Sequence, residues 1–302
     1  MYKREAQRAK ISIGAARLHL LDGAFHGPAC VPLRERRPSL VISSHEMSAA
    51  TDLLVRAIAP TDELRIIAAV TTEVVRDAAR RHQTSPPASA AIGRALTSGL
   101  LLATMTKGIE RVTVQLVGDG PIGSVTVDAN AAGDVRGFVR HPQARSDTRR
   151  IRAFLGDALG RDGVVNVTRD LGLRELYQGQ VALTTGEIDE DVEAYLRISE
   201  QVPSALGCEV ILDEEGQVVR AGGVLVQALP GGEPEAVREV QHLLRTGALY
   251  DLLVAGEVSA HELCERFSPS QPIEFLDDRA VRFQCRCSRR AFPQSAATTR
   301  ST

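Results

Sequence analysis

Residues 111–140 read RVTVQLVGDGPIGSVTVDANAAGDVRGFVR, and the fold class turns on this stretch. Val112, Val114 and Leu116 alternate with Arg111, Thr113 and Gln115, the period of a strand with one apolar and one polar face. GDGPIG (118–123) is a tight turn, SVTVD (124–128) resumes the alternation, and DVRGFVR (134–140) supplies a third strand. Connections this short leave no room for a crossover helix, so the strands form an antiparallel meander.

Working outward, GVVNVTRD (163–170) and QVALTT (180–185) add strands, and a helix is expected from Glu187 to about Val202. LGCEVILD then pairs with QVVRAGGVLVQAL as a hairpin turning at Glu214-Glu215-Gly216. Upstream the pattern reads as helical. Leu53, Leu54, Ala57 and Ile58 form one face, a second helix runs from about Glu63 to His82 with Ile66, Val70, Val74 and Ala78 in line, and a third spans about 87–107. That third helix is apolar nearly all round and should be buried. After a PGGEP linker (230–234) come short helices in EAVREVQHLLRT, ALYDLLVAG and SAHELCERF, then a β-like RAVRFQ. The fold class is therefore α+β, with a largely antiparallel sheet and packed helices followed by a helical region.

Composition narrows the function. The 302 residues are 43% hydrophobic with a formal net charge of -2, so nothing in the balance asks for nucleic acid or an anionic membrane. Aromatic residues are sparse and tryptophan is absent, which argues against stacking platforms for single strands. No run approaches the roughly 18–20 apolar residues of a membrane span. The five cysteines (Cys30, Cys208, Cys264, Cys285, Cys287) are too few and too scattered for a secreted disulfide scaffold, and a reducing cytoplasm fits them better. Residues 1–46 lack sustained periodicity. They read as a disordered extension or an upstream start-site artefact instead of a transit peptide, because Glu5, Asp22, Glu35 and Glu46 interrupt the basic residues.

Enzyme signatures are missing. GDGPIG joins two strands and does not open a helix, so it is a turn and not a phosphate cradle. No Gly-x-Ser-x-Gly or His-Glu-x-x-His occurs. His82 closes a helix, and Asp189, Glu190 and Asp191 open one, as the helix dipole favours. Cys208 and Cys264 read as packing thiols, and the i, i+3 pair His261 and Cys264 is a weak metal signal. Cys285 and Cys287 differ. Two residues apart on an extended chain, their side chains point the same way, and Arg282, Arg286, Arg289 and Arg290 surround them with no acid nearer in sequence than Asp278. Positive surroundings favour thiolates, which bind metal and are readily oxidised.

Several blocks together resemble one family. DLLVRAIAPTDELRIIAAVTTEVVRDAARRH and the residues after it to Gly108, VQLVGDGPIGSVTVDANAAGDVRGFV, YQGQVALTTGEIDEDVEAYLRISEQVPS, AGGVLVQALPGG and FQCRCSRR are similar, in order, to the 33 kDa chaperonins, the redox-regulated heat-shock holdases of bacteria. The resemblance implies a cytoplasmic, ATP-independent chaperone that binds unfolding client proteins and dimerises on activation. It also implies zinc held by a Cys-x-Cys pair and a later Cys-x-x-Cys pair, released when the pairs oxidise. Cys285 and Cys287 match the first pair as metal ligands and redox-active residues, whereas AFPQSAATTRST carries no second pair. A frameshift or premature end would produce this appearance.

The domain expectation is a disordered extension over 1–46, an α+β chaperone domain over 47–230, a helical linker over 231–278 and a truncated redox and zinc domain over 279–302. Two thiolates are too few for a closed zinc site, so weak zinc binding and an unfolded tail beyond about Asp278 are expected. The rival reading is a thiol- or zinc-dependent enzyme using Cys285 or Cys287. It needs a base beside the thiolate, and the local sequence offers none.

Overall fold

The computed structural model describes residues 52–106, 110–145, 155–170, 172, 176–232 and 234–285, and the statements below concern these. The extension expected over 1–46 and Cys287 with the tail beyond it lie outside them.

The meander read from 111–140 is the centre of a six-stranded sheet ordered β11 (Arg282–Phe283), β5 (Asp134–Val139), β4 (Ser124–Asn130), β3 (Arg111–Gly118), β6 (Gly163–Asp170), β7 (Tyr177–Ala182). Its register sets Val114 opposite Val127 on β4 and Val167 on β6, so one face is a continuous valine layer. Thr113, Gln115, Thr126, Asn166 and Thr168 alternate onto the other, wet face. The GDGPIG turn closes with Gly118 N donating to Gly123 O at 2.9 Å.

A second, five-stranded sheet runs β10 (Glu274–Ala280), β1 (Leu53–Ala59), β2 (Leu64–Val70), β9 (Val218–Ala228), β8 (Ser204–Leu212). Every strand pair in the two sheets is antiparallel except β11 with β5. Between the sheets lies α2 (Pro86–Ala103), touching β3, β4 and β5 on one side and β8 and β9 on the other. Pro86 suits its first turn, and every residue from Pro87 to Ala103 is buried. Around it sit α1 (Thr72–His82), the single turn α3 (Gly156–Leu159) and α4 (Ile188–Ile198). The far face of the five-stranded sheet is covered by α5 (Pro234–Arg245), α6 (Ala248–Ala255) and α7 (Ala260–Arg266). The order of layers is thus α5–α7, five-stranded sheet, α2 with its neighbours, six-stranded sheet.

Two sequence expectations are corrected. The helices expected from Ser48 and from Glu63 are, over 53–70, the hairpin β1–β2; only 72–82 is helical. β1 and β2 are sandwiched on both faces, with Leu54 and Ile67 in the interior core and Val55 and Ile66 under α5–α7. A strand buried on both faces has no polar alternation, and its apolar run matches a helical spacing equally well. The second correction concerns the tail: instead of unfolding beyond Asp278, the chain stays paired through β10 and β11 to Phe283.

Candidate functional site

Cys285 is exposed and lies two residues beyond β11. What holds it there is the edge of the six-stranded sheet. Arg282 N donates to Gly133 O at 3.0 Å and Gln284 N to Val135 O at 2.8 Å, extending the β5 ladder. Gly133 permits the close passage, since a Cβ there would stand 2.5 Å from Ala280 O. Val281 is buried in the interior core, and the Phe283 ring meets His82 edge-on at 6.2 Å with the Arg81 guanidinium 5.7 Å away. The surroundings are not uniformly basic, as the local sequence suggested. Asp134 comes in from β5, pairs with Arg282 Nε at 2.6 Å and faces the Gln284 amide. Among the described residues no group of three or more His, Cys, Asp or Glu side chains is arranged to hold a metal ion.

The other candidates are structural. Cys208 is buried against Ser98 Oγ at 3.3 Å, and burial pushes its thiol far above the usual range. Burial likewise lifts Cys264 to about 12. His261 does not join Cys264 in a metal pair: Cys264 is buried under the sheet, while the imidazole lies 4.8 Å from the Phe275 ring. Asp191 accepts from Thr184 N (2.8 Å), Thr184 Oγ1 (2.6 Å), Thr185 N (3.1 Å) and Gly186 N (2.8 Å), closing the loop into α4.

Arg94 was not singled out in the sequence. It is a buried guanidinium in the middle of α2, giving Nη1 to Glu187 at 2.7 Å and Nη2 to Glu209 at 2.7 Å, with Asp189 at 3.5 Å. Burial alone would lower its pKa, but the three carboxylates outweigh it and raise the value. Burial also raises Glu187, against the pull of Arg94. One visible signal existed: an arginine in the middle of a helix otherwise apolar all round needs a buried partner.

A second candidate surface is the outer layer. Val237, Val240 and Leu244 of α5, Leu249 and Leu253 of α6, and Leu263 and Phe267 at α7 bury themselves on Val55, Ala57, Ile66, Ala68, Val224 and Val226. Gly207 lets α5 in, because a Cβ there would stand 2.7 Å from Leu244 Cδ2. Polar fastening is sparse. Glu193 of α4 accepts from Leu206 N (2.9 Å), Gln241 Nε2 (3.1 Å) and Arg245 Nη2 (2.9 Å). Burial raises the Glu193 pKa, with Leu206 N and Arg245 pulling the other way. Arg220 Nη1 donates to Leu253 O at 2.8 Å, and Ser259 and Glu262 form a capping box at α7. The three helices have 12, 8 and 7 residues, too short to persist off the sheet.

Comparison with known proteins places this architecture. The family model described as "Hsp33 protein" matches residues 52–298. The 33 kDa chaperonin of Geobacter sulfurreducens is 42% identical over 243 residues, covering 80% of this chain and 80% of the relative. That of Bacillus subtilis is 38% identical over 242 residues, covering 80% and 83%. The crystal structure of the 33 kDa chaperonin of Thermotoga maritima superposes with a TM-score of 0.69 at 28% identity, over 80% of this chain and 82% of that one.

Proposed function

The chain belongs to the Hsp33 family, and from that premise we propose that this chaperone is an ATP-independent holdase whose client surface lies beneath α5–α7. The observation that carries the reading is the second core. The face that β1, β2, β8 and β9 turn outward is apolar, and among the described residues it is covered by three short helices joined by a few residues each. Lifting them bares contiguous apolar area without disturbing α2, and such area binds unfolding chains through non-directional burial.

The switch is assigned to Cys285 and Cys287. In the reduced state both are thiols, and peroxide joins them as one disulfide, two electrons leaving the sulfurs and two waters forming. Cys285 follows directly on the strands that lead out of α7, so a change there acts on the end of the outer layer. The residues present do not fit the four-ligand zinc of the family expectation. Residues 288–302 contain no Cys, His, Asp or Glu, and a closed site needs four donors. The two thiols present are sufficient for the disulfide step above. Burial keeps Cys208 and Cys264 protonated, which disfavours them as nucleophiles beside the exposed Cys285. A cytoplasmic setting, where thiols stay reduced until stress, suits such a switch.

The test is light scattering from a heat-unfolding client, with the chain added in reductant and, separately, after peroxide at raised temperature. Suppression after peroxide is expected, with the reduced chain weaker. No suppression in either state, from a chain that is folded by circular dichroism, would overturn the reading.

A further inference from the structure

β10 is attached unlike the strands around it. It pairs antiparallel with β1 from Leu53 opposite Ala280 to Ile58 opposite Glu274, yet none of its residues is buried, whereas every strand from β1 to β9 buries at least one. Phe275 and Leu276 are 43% and 52% exposed. The register slips between Arg56 and Ala57, so Leu276 has no opposite residue. Side-chain ties are few: Arg56 Nε to Asp277 Oδ1 at 2.6 Å, Arg279 to the Ala131 carbonyl, and the His261–Phe275 ring contact. Half-exposed ion pairs of this kind add little, so main-chain hydrogen bonds hold the strand.

The edge beneath it is different. Leu54 belongs to the interior core, and Val55, Ala57 and Ala59 belong to the core under α5–α7. With α5–α7 loosened and β10 lifted, β1 presents a row of N–H and C=O groups with apolar surface beside it. Such an edge is a template for another strand. Main-chain pairing is also indifferent to side-chain sequence, as a chaperone requires.

We infer that β10 is a placeholder for client: an extended apolar segment of an unfolding protein adds antiparallel to β1, in the position β10 vacates. This rests on the holdase reading and adds directional hydrogen bonding to it. Two features favour a client segment as the occupant. The placeholder itself carries an exposed Phe-Leu pair, and it lies on the strands that run into the proposed switch at Cys285.

The experiment uses the full chain, reduced and peroxide-treated, and its Asp277→Ala variant, which loses the Arg56 tie. A labelled peptide copying residues 273–281 is titrated against each by fluorescence anisotropy, beside the same peptide N-methylated at alternate residues. Binding is expected to be clearly tighter for the treated chain than for the reduced chain, and at most about fivefold tighter for the variant, because the lost ion pair is worth little. Methylation is expected to weaken it by about tenfold or more, since each main-chain hydrogen bond is worth roughly fivefold. The unmethylated peptide should also restore scattering in the client assay. Equal binding of the two peptides would reduce the surface to apolar contact and overturn the inference. So would absence of peptide binding by a chain that still suppresses aggregation, an outcome that leaves the holdase reading standing. Hydrogen exchange on the unsubstituted chain provides a check that needs no variant. Amides of 53–58 should lose protection after peroxide and regain it with client, and protection throughout would overturn the inference. A dimer of the variant that protects those amides without client would give the edge to a second copy and overturn it too.

Discussion

α2 and the α5–α7 layer pack on opposite faces of the same five-stranded sheet, yet they are built for different fates. α2 is one 18-residue helix enclosed between two sheets, buried from Pro87 to Ala103 and pinned by Arg94 to carboxylates from α4, its N-cap and β8. The outer layer is three short helices, each with one wet face, fastened by Glu193, Arg220 and a capping box. The difference is the one the proposed function requires, between a fixed interior and a cover held by fewer ties. The expectation is that α2 opens only with global unfolding, while the outer layer, with fewer ties, opens locally.

The strongest way to break the comparison is at Arg94. Arg94→Met leaves Glu187, Asp189 and Glu209 buried without their cation, a loss expected at roughly 3–5 kcal/mol. Chemical denaturation should show one transition moved as a whole, since α2 touches both sheets; two separated transitions would mean the sheets unfold independently.

Asp52 probes the same interior by pH. It accepts from Val74 N at 2.7 Å at the start of α1, its Oδ1 has no partner among the described residues, and burial raises its pKa to about 6. A carboxyl raised in the folded state contributes stability that is fully present below its unfolded value near 4 and lost as pH rises through 6. The loss is on the order of 3 kcal/mol by linkage. Asp52→Asn should therefore gain stability relative to the parent between pH 4 and pH 7, and parallel profiles would show that the carboxyl is not raised.

Leu244→Ala sharpens the other side. Removing this buried contact of α5 should cost about 2–3 kcal/mol, toward the lower end because the helix can settle toward Gly207. Hydrogen exchange should quicken across α5–α7 while α2 keeps its protection, and client suppression by the reduced chain should rise. Equal quickening in α2 would mean the two layers open together.

How far the sequence could be read follows from burial. The meander was legible because one of its faces is wet, so valines alternate with Thr and Gln, and α2 was legible because it is long and flanked by Pro86 and a polar end. β1 and β2 were not, because burial on both faces erases the alternation that marks a strand. α5–α7 were legible as amphipathic helices, but that they share one sheet face was not. At the candidate site Cys285 was visible as chemistry, whereas Asp134, which meets Arg282 across 148 residues of sequence, depends on a parallel strand pairing that no local pattern announces.

The wet face of the six-stranded sheet has a colloidal consequence. Thr113, Gln115, Thr126, Asn166 and Thr168, with Arg111 and Arg136 around Asp128, form a half-exposed polar face on the side of the molecule away from α5–α7. A chain that adheres to misfolding protein through one side and keeps water on the other is a surfactant of fixed shape. On the proposed holdase reading, a client particle coated with it would present hydroxyls, amides and balanced charge outward, and coated particles would have little left to adhere through.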